Sequence, residues 1–461
     1  MVHTALLQSI EEGSRLHGCE AEIREELVKN PKSIVILDDD PTGTQTVYDV
    51  PVITEWTEEI LEKELLTSPV FFILTNSRSL YAEAADALGR LIGQRLQKLA
   101  VKHQKKLIVI SRSDSTLRGH YPIEVNALAI GLQMEKAKQV LIPAFFEGGR
   151  YTYNDIHYVK EGDKFIPAAE TPFAKDNTFG YEASNIRDWI IEKSENKVTP
   201  DHIASISVQL LRQQSTDAIK TILNQPETTH IVVNATSCHD LQIMAQIALQ
   251  NPTPLLFRTA ASFINAISGI ARRACLCRNE ILGKTSKNGA LVVIGSYVPK
   301  TTAQLEYLKK HYNAVFLELE VSNVLNPVLF SQELTSLVSR IDRQIGLGED
   351  VVLFTSRTVV KGSTRNESLE IVNRVSEGLI SIIKNIKNRP KYLVAKGGIT
   401  SSDIATKGLG VRRAHILGQV LNGVPVWQLG KEAKFPGLPY IVFPGNVGVN
   451  SALHELITLL K

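Results

Sequence analysis

Short apolar runs alternate with segments of helical periodicity along most of the chain. In the first half, runs rich in β-branched residues begin near residues 33, 70, 106 and 139, and each ends in polar residues. Similar runs follow in HIASISV, THIVVNA and PLLFRTA, up to about residue 270. Continuous apolar runs that alternate with helices are typical of an α/β fold with a mainly parallel sheet flanked by helices. The N-terminal pattern also predicts one amphipathic helix over residues 4–30.

A second series of the same kind occupies the last third of the chain. ALVVIGS begins this series at residue 290, and VFLELEV, EDVVLFTSR, KYLVAKGG and YIVFPGNVG follow. The polar, Gly- and Lys-rich stretch 278–289 is predicted to be an interdomain linker. We therefore expect two α/β domains, over residues 1–277 and 290–461. Aromatic and β-branched alternation around Glu161-Gly162-Asp163 predicts a hairpin insertion over about 151–181.

Composition and charge exclude several classes of protein. The 461 residues contain 51 Lys and Arg against 48 Asp and Glu, a formal net charge of +3. That balance is too small to predict a nucleic-acid partner. No apolar run approaches the roughly 18 residues of a membrane-spanning helix, and the N-terminus lacks the apolar core of a signal peptide. The 4 cysteines form no CxxC pair, so we expect reduced thiols in a cytoplasmic protein without a membrane partner.

Three adjacent aspartates, Asp38 to Asp40, follow the first apolar run, and the turn continues as Pro41-Thr42-Gly43-Thr44. Adjacent like charges oppose each other's ionisation, so such a cluster is costly without a cation or a hydroxyl-bearing ligand. In open α/β sheets, ligands bind beyond the carboxyl ends of the strands. The position at a strand end therefore favours a ligand site over the competing interpretation, a solvated acidic turn that caps a helix.

A second polar cluster, Arg112 to His120, follows another predicted strand and reads RSDSTLRGH. Its two arginines present planar forks that match carboxylate or phosphate, while its hydroxyls and Asp114 suit a polyol. Together they predict a pocket for a small polyhydroxy acid, in preference to a surface loop with an Arg–Asp ion pair. Asn76, Ser77 and Arg78 follow the second predicted strand and belong to the same edge of the sheet.

Small-residue turns follow four apolar runs of the second series. They are Gly295-Ser296, Thr355-Ser356, Gly397-Gly398-Ile399-Thr400-Ser401 and Gly445-Asn446-Val447-Gly448. Such turns can expose backbone N–H groups as anion nests. One glycine turn is weak evidence, but four in one domain predict a nucleotide site.

Several of these segments match the motifs of a known family. In the first half they are D-D-x-T-G at Asp39 to Gly43, D-S-T-L-R-G at Asp114 to Gly119, and P-A-F…G-R at Pro143 to Arg150. In the second half they are the glycine turns at residues 295, 397 and 445. With these motifs the chain resembles the four-carbon acid sugar kinase family over essentially its whole length. It departs from the family pattern at Thr44, Arg112, Val298 and Ile399, as a divergent branch would.

The resemblance implies an N-terminal sugar-acid-binding domain, a C-terminal nucleotide-binding domain and ligand sites in the cleft between them. It implies transfer of the γ-phosphoryl group of ATP to a hydroxyl of a four-carbon or similar sugar acid, with Mg²⁺. The implied catalytic residues are Asp39, Asp40 and Arg118, with either aspartate as the base and Asp39 as a metal ligand. The implied substrate contacts are Thr42, Gly43, Arg78, Arg112, Asp114 and Ser115. The implied ATP contacts are Ser296, Ser356, Gly397, Gly398, Ile399, Thr400 and Gly445.

Two other classes of function compete with a kinase. One is a metal-assisted isomerase, aldolase or dehydrogenase that uses the same acidic turn. The other is a sensor that binds a sugar acid or a nucleotide without catalysis. Adjacent carboxylates argue against the sensor, because simple binding does not require them. A homodimer is left open, and the identity of the acid is not predicted.

Overall fold

The computed structural model describes residues 2–283, 286–357 and 365–461. The chain divides into two compact units, Met1–Arg273 and Ala274–Lys461. The predicted linker 278–289 contains a short helix, and its residues 284 and 285 lie outside the described residues. The domain limits that we predict, and the cleft between the domains, stay predictions. None of the helices in the described ranges is long and apolar enough to span a bilayer.

The first unit contains an eight-stranded sheet, and each strand is parallel to its neighbours. The chain forms β1 (Ser33–Asp38), β2 (Val50–Ile53), β3 (Val70–Leu74), β4 (Leu107–Arg112), β5 (Lys138–Ile142), β6 (Arg150–Tyr153), β7 (Ile156–Glu161), β8 (Lys164–Pro167), β9 (Ile203–Ile206), β10 (His230–Val233) and β11 (Leu255–Thr259). The order in the sheet is β2-β3-β1-β4-β11-β5-β10-β9. The parallel sheet that the apolar runs predict is confirmed.

Helices of the first unit pack their apolar residues against this sheet. They are α1 (Val2–Ser14), α2 (Glu20–Lys29), α3 (Glu58–Thr67), α4 (Ala82–Lys102), α5 (Ile123–Gly131), α6 (Ile186–Lys193), α7 (Val208–Arg212), α8 (Thr216–Asn224), α9 (Cys238–Gln250) and α10 (Ala261–Ser268). The core under α4 and α5 includes Val35, Ile73 and Val109 from the strands and Ile92 and Leu128 from the helices. Local sequence sets some helix ends: Ser237 and Asp240 form a reciprocal capping box at the start of α9.

Two predictions about secondary structure need comment. The single helix expected over residues 4–30 is wrong, because α1 ends at Ser14 and α2 begins at Glu20, with Gly18 in the break between them. Around Gly162 the strands β7 and β8 form a hairpin, and β6 pairs with β7, so that the three strands form a small antiparallel sheet within residues 150–167. An insertion over the whole of 151–181 stays a prediction. Gly162 has a φ of 60°, which suits glycine at a tight turn.

The second unit has a sheet that is parallel in one part and antiparallel in the other. Its strands are β12 (Leu291–Ile294), β13 (Val315–Leu319), β14 (Val351–Thr355), β15 (Leu393–Lys396), β16 (Arg413–Leu421), β17 (Val424–Leu429) and β18 (Pro439–Phe443), in the order β13-β14-β12-β15-β18-β17-β16. The pairs β18–β17 and β17–β16 are antiparallel. The helices are α11 (Arg278–Leu282), α12 (Pro299–His311), α13 (Pro327–Gly346), α14 (Arg365–Asn385), α15 (Gly398–Asp403) and α16 (Ala452–Leu459).

Candidate functional site

The acidic turn begins where β1 ends, and it is tightly packed. Asp38 is fully buried and Asp39 is 2% exposed. Asp40 caps the short 3-10 helix Pro41–Thr44 by accepting a hydrogen bond from the backbone N–H of Thr42 at 2.8 Å. Gly43 lies directly against Asp38, because a Cβ at Gly43 would stand 2.1 Å from each carboxylate oxygen. The turn therefore needs glycine at this position for the backbone to approach the carboxylate.

Arginines from the neighbouring strand ends neutralise the first two aspartates. Arg78, which follows β3, donates Nε–H and Nη2–H to the two oxygens of Asp39 at 3.0 and 2.6 Å. Arg112, the last residue of β4, donates to Asp38 at 3.1 Å. Because β1 lies between β3 and β4, with Asp38 level with both Leu74 and Arg112, these side chains meet at one edge of the sheet.

The loop after β4 forms a second charged cluster that is joined to the first. Arg118 donates Nε–H to Asp114 at 2.8 Å, and the hydroxyl of Thr116 also donates to Asp114. Nη1 of Arg78 lies 3.6 Å from an Asp40 oxygen and 3.9 Å from an Asp114 oxygen. Arg78 therefore lies between the two acidic segments that we predict from the sequence, and those segments form one site.

The segment around the small antiparallel sheet holds this loop in place. Nε2 of His157 lies 2.7 Å from the backbone oxygen of Ser115, and the Tyr181 hydroxyl donates to the backbone oxygen of Thr116 at 2.8 Å. Burial lowers the pKa of His157 to about 4, so its neutral ring donates from Nε2 while Nδ1 accepts from the Thr152 hydroxyl at 3.0 Å. Ser115 is buried, and its backbone carbonyl accepts the hydrogen bond from His157.

The carboxyl groups of the site differ in protonation because their surroundings differ. Burial raises the pKa of Asp38 to about 7, although Arg112 opposes the shift. Burial, and then the charge of Asp39, raises the pKa of Glu124 to about 7. Burial also acts to raise the pKa of Asp114, but the charges of its two arginine neighbours prevail and hold that pKa well below the ordinary range. The site therefore contains both a firmly ionised carboxylate and carboxyls that can carry a proton near neutral pH.

Sequence patterns alone missed two charged residues that reach this site. Glu124, in the first turn of α5, accepts a hydrogen bond from the Ser77 hydroxyl. Arg258, in β11, donates to the backbone oxygen of Arg118 at 3.4 Å. The sequence contains one signal for Arg258, since an arginine near the end of the otherwise apolar run PLLFRTA is unusual.

In the second unit, the turns after β12, β15 and β18 pack against one another. A Cβ at Gly295 would lie 2.3 Å from Oγ1 of Thr400, and one at Gly445 would lie 3.0 Å from Oγ of Ser296. Gly397 has a φ of 121°, and a Cβ there would lie 3.0 Å from Cβ of Ser296. These close approaches bring together most of the predicted nucleotide contacts of this unit.

Three other predicted nucleotide contacts have different surroundings. Gly398 is the first residue of α15, and Ile399 is 58% exposed. The hydroxyl of Ser356 instead donates to Glu320 at 2.9 Å and accepts from the backbone N–H of Val321 at 2.9 Å. The Ser356 side chain is therefore engaged with the segment after β13 and does not join the glycine turns.

Lys396 is a buried charge beneath these turns that sequence patterns also missed. Its side chain is fully buried at the end of β15, and Nζ donates to the backbone oxygen of Pro444 at 3.1 Å. Nζ also lies 3.8 Å from the centroid of the Phe443 ring. Burial, with a smaller contribution from Lys300, lowers the pKa of Lys396 to about 7. The lysine thus links the turn at residue 397 to the turn at residue 445.

The predicted magnesium ligand is unsuited to a cation in this arrangement. Both carboxylate oxygens of Asp39 accept hydrogen bonds from Arg78, which already neutralises the charge that a cation would need. Within residues 2–283, 286–357 and 365–461, no group of three or more His, Cys, Asp or Glu side chains is arranged to hold a metal ion. The described side chains do not fit a magnesium ion held by the protein alone.

Two family models match the chain, one in each half. A sugar-binding N-terminal domain matches residues 34–267, and a nucleotide-binding C-terminal domain matches residues 291–453. The chain belongs to the four-carbon acid sugar kinase family. The resemblance that we draw from the sequence motifs is thereby confirmed, and the charged cluster and the glycine turns lie in the sugar-binding and nucleotide-binding domains of a family member, respectively.

Curated members of the four-carbon acid sugar kinase family are distant in sequence but similar in extent. D-threonate kinase of Salmonella typhimurium is 24% identical over 447 residues, which cover 93% of this chain and 98% of that protein. D-erythronate kinase of Heliobacterium modesticaldum is 22% identical over 378 residues, which cover 77% of this chain and 80% of that protein. These similarities indicate a kinase in general terms.

Solved structures share the fold. A crystal structure from Salmonella typhimurium LT2 gives a TM-score of 0.69 at 17% identity and covers 93% of this chain and 98% of its own. Haemophilus influenzae protein HI1011 gives a TM-score of 0.64 at 14% identity, over 93% of this chain and 100% of its own. At these identities the likeness concerns the fold alone.

Proposed function

We propose that this protein is an ATP-dependent kinase that phosphorylates a hydroxyl group of a small sugar acid, four-carbon or similar. D-threonate kinase and D-erythronate kinase are relatives that span most of the chain. The observation that carries the proposal is the cluster at the ends of β1, β3 and β4, where Asp40 lies beside aspartates that arginines have neutralised. Phosphoryl transfer needs such positioning and charge balance more than it needs covalent chemistry.

The geometry favours Asp40 over Asp39 as the group that orients and deprotonates the attacking hydroxyl. Asp39 is almost fully buried, and Arg78 occupies both of its oxygens. Asp40 has a side chain that is 18% exposed, and only its Oδ1 accepts the hydrogen bonds from Thr42. Its Oδ2, 3.6 Å from Nη1 of Arg78, is left to accept a proton from a substrate hydroxyl. Asp39 instead holds the side chain of Arg78 in position through these two hydrogen bonds.

Arg118 is suited to stabilise negative charge on the reacting groups. Its side chain is partly exposed, it pairs with Asp114, and its Nη1 lies 3.6 Å from Asp176. Its guanidinium carbon lies 5.1 Å from the centroid of the Phe173 ring, a cation–π contact that helps to hold the side chain in position. Arg78 lies 3.6 Å from Asp40 and 3.9 Å from Asp114, and the Thr42 hydroxyl donates to Asp40, so these neighbours of the base are proposed as substrate contacts. Arg112 instead acts through Asp38.

In the nucleotide-binding domain, the turns at Ser296, Gly397 to Thr400 and Gly445 are proposed to bind ATP. Glycine lets the backbone approach phosphate oxygens closely, and successive N–H groups can form an anion nest. The close packing of Gly295, Gly397 and Gly445 around Ser296 and Thr400 supports this assignment. Ser356 has no such support, because its hydroxyl is bonded elsewhere. Because the described side chains do not hold a magnesium ion by themselves, Mg²⁺ would have to arrive bound to the nucleotide.

A turnover assay tests the proposal. Purified protein with ATP, Mg²⁺ and a panel that includes D-threonate and D-erythronate should release ADP with at least one acid. Asp40→Asn and Arg118→Ala should each lower kcat by roughly 100-fold or more, the usual contribution of a general base or a transition-state charge partner. Asp86→Asn and Arg95→Ala are matched controls on α4, where Asp86 pairs with Arg90 and Arg95 donates to a backbone oxygen.

The outcomes of this assay separate the competing classes. Full turnover by both site variants would show that the residues are wrongly assigned. Conversion of an acid without ATP, or a change in NAD(P)H, would indicate an isomerase, aldolase or dehydrogenase and not a kinase. Tight binding of an acid with no ADP release across the panel would indicate a sensor.

A further inference from the structure

Arg258 is a buried arginine that faces the candidate site from β11. Its side chain is 3% exposed, and its guanidinium carbon lies 5.3 Å from the centroid of the Tyr121 ring and 5.2 Å from that of Trp189. The two rings stack on each other with centroids 4.6 Å apart. The Tyr121 and Trp189 rings together restrict the orientation of the Arg258 guanidinium.

Arg258 differs from the other arginines of the site in having no carboxylate partner. Arg78, Arg112 and Arg118 each lie within about 3 Å of an aspartate oxygen. In the part of the chain that the structure describes, Arg258 has no carboxylate oxygen within 4.0 Å, and its one hydrogen bond goes to the backbone oxygen of Arg118. Burial lowers the pKa of Arg258, even though Asp39, Glu124 and Asp114 act on its charge from beyond that distance. A buried guanidinium without a contacting carboxylate is costly, so such a group is typical of a site that receives an anion.

Gly119 is buried and lies beside both Arg258 and Asp39. Gly119 has a φ of 127°, and, its two chain neighbours aside, a Cβ at this position would have two atoms of the described residues within 4 Å. These are Oδ2 of Asp39, at 3.4 Å, and Nη2 of Arg258, at 3.7 Å. Because Gly119 carries no Cβ, a ligand group that approaches it would contact both the guanidinium of Arg258 and the neutralised carboxylate of Asp39.

We propose that Arg258 binds the carboxylate of the sugar acid and so selects acids over neutral polyols. This inference rests on the proposed function and assigns the acid group to a residue that the sequence motifs do not include. The arginines that sequence motifs assign to this role are engaged with aspartates of the protein. A carboxylate beside Gly119 would give Arg258 a counter-ion in direct contact, which none of the described aspartates and glutamates provides. Repulsion by Asp39 is offset, because Arg78 holds both of its oxygens.

The test compares an acid with its amide in wild-type protein and in variants of Arg258. The probes are D-threonate and D-threonamide, which differ in charge and little in shape. Arg258→Met should raise the KM for the acid by roughly 100-fold, the effect of leaving a buried carboxylate unpaired, and should change the KM for the amide by less than about 3-fold. Arg258→Lys should restore part of the preference for the acid, since it keeps the charge.

A structural role for Arg258 would give a different result. If Arg258→Met raises the KM for acid and amide by the same factor, or leaves the acid unaffected, the inference is wrong. Arg95→Met controls for the loss of an arginine outside the site and should leave the acid-to-amide ratio unchanged. Calorimetric titration of both probes without ATP measures the same ratio as dissociation constants. If the acid binds and its binding depends on Arg258, but no ADP is released, the kinase proposal is wrong. The proposal that Arg258 binds the carboxylate would still stand.

Discussion

Lys396→Met should change how the stability of the second unit depends on pH. Lys396 is fully buried, and its polar contacts in the described structure are the Pro444 carbonyl and the face of Phe443. Burial lowers its pKa from 10.5 to about 7. Between these pH values the unfolded chain binds a proton that the folded chain releases, so stability increases as pH rises. Methionine has a similar length and carries no charge, so the variant should lose this dependence.

The magnitude follows from the size of the shift. A difference of one bound proton changes the free energy of unfolding by about 1.4 kcal/mol per pH unit. From pH 7 to pH 9 the wild-type second unit should therefore gain about 2–3 kcal/mol from Lys396 alone. At pH 7 the variant should be more stable by about 2 kcal/mol, because it avoids the cost of the buried ammonium and loses one ordinary hydrogen bond.

The assay must report on the second unit separately from the first. Trp427 is buried in the second unit, whereas Trp56 and Trp189 lie in the first. With 5-fluorotryptophan incorporated, urea unfolding followed by ¹⁹F NMR at pH 7 and pH 9 gives one transition for each residue. The Trp427 transition should separate wild type from variant, and the Trp189 transition should not.

Two results would refute this reasoning. The first is an equal dependence on pH in wild type and in Lys396→Met, which would mean that the lysine keeps its ordinary pKa in the folded protein. The second is a variant that is less stable at both pH values, which would mean that the contact with Pro444 outweighs the cost of burial.

Two further changes test the first unit. Gly43→Ala should lower its stability by about 1–3 kcal/mol and remove most turnover, since the new Cβ would fall 2.1 Å from the Asp38 oxygens. Thermal denaturation and turnover measure this against Gly162→Ala, which has open space around it but a φ of 60° and should lose about 1–2 kcal/mol through backbone strain alone; turnover that Gly43→Ala keeps at the level of Gly162→Ala would contradict it. His157→Gln should flatten the loss of stability on acidification, because the folded pKa is about 4 against an ordinary 6.5. The unfolded chain thus binds the extra proton as pH falls through that interval, a loss of about 3 kcal/mol in wild type; urea midpoints at pH 7 and pH 4 check this, and parallel curves would count against it.

The sequence predicted the parallel strands well because both of their faces are buried. Ser33–Asp38 and Leu291–Ile294 are buried throughout, so they appear as continuous apolar runs. The missed strands have other patterns. Arg413–Leu421 alternates between buried and partly exposed positions, so it is not a continuous apolar run. Its pairing with Val424–Leu429 is made through Asn422-Gly423, a hairpin signal that a search for apolar runs does not detect. Val50–Ile53 is short and contains a proline.

The sequence predicts where the candidate site lies, but it predicts only some of the contacts between its side chains. Residues 38–44 and 112–120 carry clusters that are local in sequence, and the carboxyl ends of adjacent parallel strands bring them together. Which arginine pairs with which aspartate depends on register and rotamer, and these are set by packing. The same holds for Ser356, whose hydroxyl turns towards Glu320, and for Arg258, which packs against an aromatic pair formed by distant segments.

The pairing of charges at this site explains why three adjacent aspartates can be held together. Asp38 and Asp39 are buried, and each has its own arginine from a neighbouring strand end, so their charges are balanced within the protein. Asp40 is the member of the three with the most exposed side chain and with an oxygen left for a ligand. A base next to neutralised acids can accept a proton without repelling an anionic substrate, which an unpaired acidic cluster would do. Arg78 and Arg112 thus make the acidic turn compatible with an anionic substrate, and the proposed contact of Arg258 with the acid group leaves both free to keep that role.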